Sequence, residues 1–140
     1  MSSALRGLVV VVGLGVCLNG GSRPSYRQDQ LAASVEQICV QEHHLNVSVK
    51  QVGGTLAVHL HHAGILQRFD DQIGLGPSAN EILGNVIEAI HRVTLSADRP
   101  TEFYFLLVSD PGVPGVYLTL IRYLEDVRRV NANDIPPTEF

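Results

Sequence analysis

Ten basic against fourteen acidic residues in a chain of 140 give a net charge of -4, which argues against a surface built to neutralise nucleic-acid phosphates. Apolar residues at 45% and charged residues at 17% exclude a disordered chain and fit a single globular domain. Two cysteines, Cys17 and Cys39, are too few for a disulfide framework.

Residues 1–16 have the anatomy of an export signal. Arg6 and the amino terminus supply positive charge, and the run from Leu8 to Val16 is uncharged and apolar. That run is too short to span a hydrocarbon core as a helix, which takes about 20 apolar residues. The other reading, a first strand of a cytoplasmic domain, is weakened by Gly13 and Gly15, which disfavour strand and helix interiors alike.

Leu14-Gly15-Val16-Cys17, at the end of the run, resembles the lipobox of bacterial lipoproteins, with Val16 where that pattern usually has Gly, Ala or Ser. The resemblance implies a lipid on Cys17, attachment to a membrane, and a place in the bacterial cell envelope facing the periplasm. A soluble periplasmic form and an uncleaved or cytoplasmic form are the alternatives. Residues 17–28, polar and Gly-rich, read as a tether, and residues 29–140 as one α+β domain. Cys39 sits beside Ile38 in a helical pattern and reads as a small buried hydrophobe.

Within the domain, Leu31, Val35, Ile38 and Cys39 fall at helical spacing over residues 29–42, with Ser25 or Asp29 as the candidate cap. Leu45, Val47 and Val49, then Leu56, Val58 and Leu60, alternate with polar residues on either side of Gly53-Gly54. That pattern predicts a hairpin with one apolar face and one polar face carrying His59 and His61. Residues 64–77 read as a connector broken by Asp70, Asp71, Gly74, Gly76 and Pro77. Ser78 and Glu81 then have capping-box spacing ahead of a helix that runs to about Leu95.

Phe103-Tyr104-Phe105-Leu106-Leu107-Val108 is apolar at every position and closed by turn residues at both ends, the pattern of a strand covered on both faces. On that reading Phe105→Asp abolishes folding, and the second cover comes from the N-terminal helix, the connector or a partner chain. A turn over residues 110–115 leads to a strand over residues 116–120. Leu124, Val127 and Val130 predict a helix from about residue 121 to 130, whose Arg122, Arg128 and Arg129 alternate with Glu125 and Asp126 as a solvated face. Asp134 and Pro136 open a further helix that the chain ends before completing, as a fragment would. The expected architecture is a two-layer α+β sandwich, with an antiparallel sheet of about four strands in helix-β-β-helix-β-β-helix order.

No catalytic constellation stands out. Gly74-Leu75-Gly76-Pro77 lacks the Lys-Ser or Lys-Thr of a phosphate loop, and no serine lies in a nucleophile-elbow pattern. His59 and His61 point to the same side of a strand, where a transition metal could share both imidazoles, with His43 or His44 as a third ligand. His91 reads as a surface residue near a helix C-terminus. Ser109-Asp110, at the end of the apolar strand, is the best single position for a site and serves equally well as a turn. The pattern is similar to uncharacterised bacterial envelope lipoproteins. It predicts a non-enzymatic interaction or assembly module with another envelope protein as partner, the alternative being a periplasmic metal-binding protein.

Overall fold

A computed structural model describes residues 26–134 and 136–139; the expected export signal, the lipobox-like segment and the expected tether up to residue 25 lie outside them. A 3-10 turn over Gln28–Gln30 leads into α1 (Leu31–His43), which buries Leu31, Val35, Ile38 and Cys39, the stripe their spacing predicts. His44 ends the helix in a left-handed conformation, φ 56°. β1 (Val47–Val52) and β2 (Thr55–His61) form the expected antiparallel hairpin, with Gly53 at the positive φ its tight turn requires.

The supposed connector contains a hairpin of its own, β3 (Leu66–Phe69) paired with β4 (Gln72–Leu75). Asp70 and Asp71 are its two-residue loop, and Asp70 takes φ 50°, a conformation Asp tolerates better than most residues. The carboxylate pair is therefore a turn. Most of this hairpin is exposed, so no buried face imposed the alternation by which a strand is recognised.

α2 (Ala79–Thr94) follows with Val86, Ala89, Ile90 and Val93 buried. Ser78 holds the N-cap position, but its side chain makes no capping hydrogen bond. At φ -98° and ψ 2° its backbone is not in the extended conformation typical of a capping residue.

β5 (Phe103–Ser109) and β6 (Tyr117–Tyr123) pair antiparallel, and α3 (Leu124–Asn131) follows directly. The helix expected from residue 121 thus begins three residues later. Strand pairing accounts for the difference, because each of the seven residues of β5 has a partner, ending with Phe103 opposite Tyr123. The Leu124 N–H then bonds to the Glu102 carbonyl at 2.8 Å as the chain leaves the sheet.

The described residues form an α+β fold, with three α-helices, a four-stranded sheet in the order β1-β2-β5-β6 and the separate two-stranded hairpin. The larger sheet is mixed, not antiparallel as expected, because β2 and β5 run parallel. The hairpin and α2 between them form a connection long enough to return the chain to the same end of the sheet. Along β2 and β5, Leu56, Val58, Leu60, Tyr104, Leu106 and Val108 are buried and join the side chains of α1 and α2 in one core. The intervening residues face the other way. β5 is therefore covered on one side only, which corrects the expectation that both of its faces are buried.

Candidate functional site

The strand registers set the outward residues in four rows across the sheet. The first row is Val52, Thr55, Phe103 and Tyr123, and the second is Lys50, Ala57, Phe105 and Ile121. The third is Ser48, His59, Leu107 and Thr119, and the fourth is His61, Ser109 and Tyr117. The β5–β6 half is aromatic and aliphatic, while the β1–β2 half is polar. No carboxylate stands in any row.

Tyr117, Ile121, Tyr123 and Phe103 are 61%, 56%, 44% and 40% exposed. Phe105 and Leu107 are half-buried beside them, and Phe103 packs on Tyr123 with ring centroids 5.1 Å apart. Scattered exposed apolar residues are ordinary, but a contiguous patch on one face marks an interaction surface. Where the small side chain of Ala57 leaves room, a hollow of about 380 Å³ opens between Lys50, His59, Phe105 and Leu107.

The histidines meet at the polar end of this face. Period-two geometry puts His59 and His61 on one side of β2, and the parallel register sets Ser109 opposite His61. The Ser109 hydroxyl lies 2.7 Å from His59 Nε2 and 2.8 Å from His61 Nδ1, so both imidazoles converge on one oxygen. A hydroxyl has one proton to donate. It can donate to one ring while accepting from the N–H of the other, with the tautomers deciding which.

The rest of the expected metal cluster disperses. His43 Nε2 is 3.7 Å from Glu88 on α2, and His44 caps α1 through its backbone. Among the described residues no group of three or more metal-ligating side chains gathers. His91 is not the surface residue expected. It is half-buried, and its Nε2 shares a 3.1 Å hydrogen bond with the Tyr104 hydroxyl. Burial lowers the His91 pKa and raises that of Tyr104 to about 12, so both stay neutral near pH 7. Cys39 is buried as expected, and burial pushes its thiol up to about 11, far from the thiolate a reactive cysteine needs.

Ser109 and Asp110 divide the two roles their position suggests. Ser109 turns to the histidines, and Asp110 turns to the backbone, where Oδ2 accepts the Leu66 N–H at 2.9 Å and Oδ1 accepts the Gly112 N–H at 2.7 Å. With its carboxylate occupied in this way, Asp110 does not orient either imidazole. Among the described residues no other carboxylate stands on this face, so the His–Ser arrangement there lacks the third member of a nucleophilic triad. Two imidazoles and a hydroxyl can hold a borderline-soft cation or hydrogen-bond a partner's polar groups.

Compared with protein-family models, curated proteins and solved structures, the chain matches none. Among the described residues no helix is long and apolar enough to cross a membrane.

Proposed function

We propose that this protein is a non-enzymatic module of the bacterial cell envelope, held at a membrane by a lipid on Cys17 and facing the periplasm. On this reading it is a two-layer domain that docks another envelope protein on the bare face of its sheet. The address rests on the uncharged run before Cys17 and on the lipobox-like Leu14-Gly15-Val16-Cys17. The docking reading rests on one observation, the contiguous patch of Phe103, Phe105, Leu107, Tyr117, Ile121 and Tyr123. The exposure of Phe103, Tyr117, Ile121 and Tyr123 supports a partner chain as the second cover that the all-apolar strand called for.

Two measurements test the proposal. The intact mass of membrane-extracted protein shows a diacylglyceryl or acyl adduct on Cys17, and an unmodified Cys17 in that fraction sinks the anchor. Affinity purification from the native envelope recovers a partner with the wild type and loses it with Ile121→Asp. Identical recovery with the two proteins removes the docking face.

The convergence of His59 and His61 on a single point favours a second reading, a periplasmic metal-binding protein. Two imidazoles offer half of a four-coordinate set, with Ser109 and solvent or a partner to complete it. Untagged protein dialysed against zinc or copper should retain about one equivalent, and His59→Ala/His61→Ala should retain almost none. Equal metal content in the two proteins ends that reading.

A further inference from the structure

The two edges of the four-stranded sheet are treated differently. β1 is packed against α1, and the Glu36 carboxylate accepts the Val49 N–H at 2.7 Å, occupying one amide of that strand. Among the described residues β6 has no strand beyond it. Its residues, Tyr-Leu-Thr-Leu-Ile-Arg-Tyr, include no proline, glycine, lysine or acid. A long, regular edge rich in aromatic and aliphatic residues is a template for another strand. Leu118 and Leu120, on the core-facing side, stay only half-buried, and a neighbouring strand would complete their cover.

We infer that β6 is the pairing strand of a homodimer. A second copy's β6 adds antiparallel about a two-fold axis through Leu120, and the two sheets join into one of eight strands. Pairing all seven residues leaves a single two-fold register. Tyr117 then lies opposite the second copy's Tyr123, Leu118 opposite Arg122, Thr119 opposite Ile121 and Leu120 opposite itself.

Each of these contacts is favourable or neutral. The outer face gains two Tyr–Tyr and two Thr–Ile cross-strand pairs, and the core-facing side gains a Leu–Leu pair. Arg122 carries the one charge on the strand, and the register keeps the two guanidiniums on opposite sides of the axis with Leu118 across from each. The same sequence read against itself thus opposes no like charges, which is the complementarity an isologous contact needs. The apolar patches of both copies also become continuous across the axis.

The contact is small. A seven-residue strand about 23 Å long buries on the order of 300 Å² per copy, against roughly 800 Å² per partner in a stable complex. The dimer is therefore concentration-dependent in solution and strengthened where copies are confined together, as on a membrane. It does not depend on the docking reading above, because its readout is the mass of the protein by itself.

Sedimentation velocity of the full chain over a range reaching about 500 μM tests the pairing, since contacts this small sit in the weak, transient class. Wild type shows a monomer–dimer equilibrium. Tyr117→Lys/Tyr123→Lys sets like charges opposite each other at both ends of the ladder and weakens dimerisation at least about tenfold. Tyr117→Lys/Tyr123→Glu sets opposite charges there and returns it to within about threefold of wild type. Both positions are exposed, so unfolding transitions like that of the wild type confirm that the variants fold. Hydrogen exchange on the wild type needs no variant: β6 amides become more protected as concentration rises. A monomer at every concentration overturns the proposal, as does a Lys/Glu variant no better than Lys/Lys, or a monomer purified with an extended segment of a different protein on β6.

Discussion

Leu106→Asp abolishes the cooperative unfolding transition of this chain, whereas Phe105→Asp, one residue earlier, leaves a folded protein. Leu106 is 1% exposed and sits in the core shared by the sheet and the helices. An unpaired carboxylate there costs several kcal/mol, enough to exhaust a typical total stability of about 5–15 kcal/mol. Phe105 lies on the outer face, half-buried between Ala57 and Ile121, where a carboxylate keeps contact with water. Its loss is limited to cross-strand packing, about 1–2 kcal/mol. Urea denaturation followed by circular dichroism separates the two: a sigmoidal transition for Phe105→Asp, and none for Leu106→Asp. Equal damage from the two substitutions would show that both faces of β5 are buried and would remove the surface on which the docking proposal rests.

The orientation of Phe105 is not encoded in the local sequence. An all-apolar run carries no period-two alternation, so it marks a strand without saying which side is covered. The β1–β2 hairpin was legible down to its turn because alternation and Gly53-Gly54 are local signals. The parallel pairing of β2 with β5 joins residues 48 positions apart at His61 and Ser109, and no local pattern encodes it. The shared face of His59 and His61 could accordingly be read from their spacing, while the hydroxyl between them could not. Only chain proximity puts His43 and His44 near that face in the sequence, and the end of α1 turns them elsewhere. The boundary between β6 and α3 is not legible locally for a related reason. Ile121 and Tyr123 fit the helical period of Leu124 and Val127 as well as the strand period, and only pairing with Phe103 and Phe105 decides between them.

Asp110→Asn is expected to destabilise the protein by about 2–4 kcal/mol at pH 7, even though it changes the side chain by a single atom. Asp110 is 3% exposed, and both of its oxygens accept backbone N–H groups, from Leu66 where β3 begins and from Gly112 in the turn after β5. An amide offers one acceptor and turns an N–H donor toward the other N–H, so one buried donor is left facing another. Burial disfavours the charged carboxylate, but the amides of Leu66, Gly112, Gly64 and Ile65 outweigh it and hold the pKa below its ordinary value of 3.8. The sign of the pH effect follows. A group whose folded pKa is lowered stabilises fully above its unfolded value, and that stabilisation disappears as pH falls through the folded value. The gap between wild type and Asp110→Asn is therefore widest above about pH 5, starts to narrow below 3.8 and closes as pH falls through the lower folded value, where both proteins carry an uncharged side chain. Chemical denaturation at pH 7, 4 and 3 measures it. A gap unchanged at low pH would mean that the carboxylate charge is not what fastens the β3–β4 hairpin to the end of β5. A gap that closes would identify the Asp110 charge as what ties the start of β3 to the turn after β5.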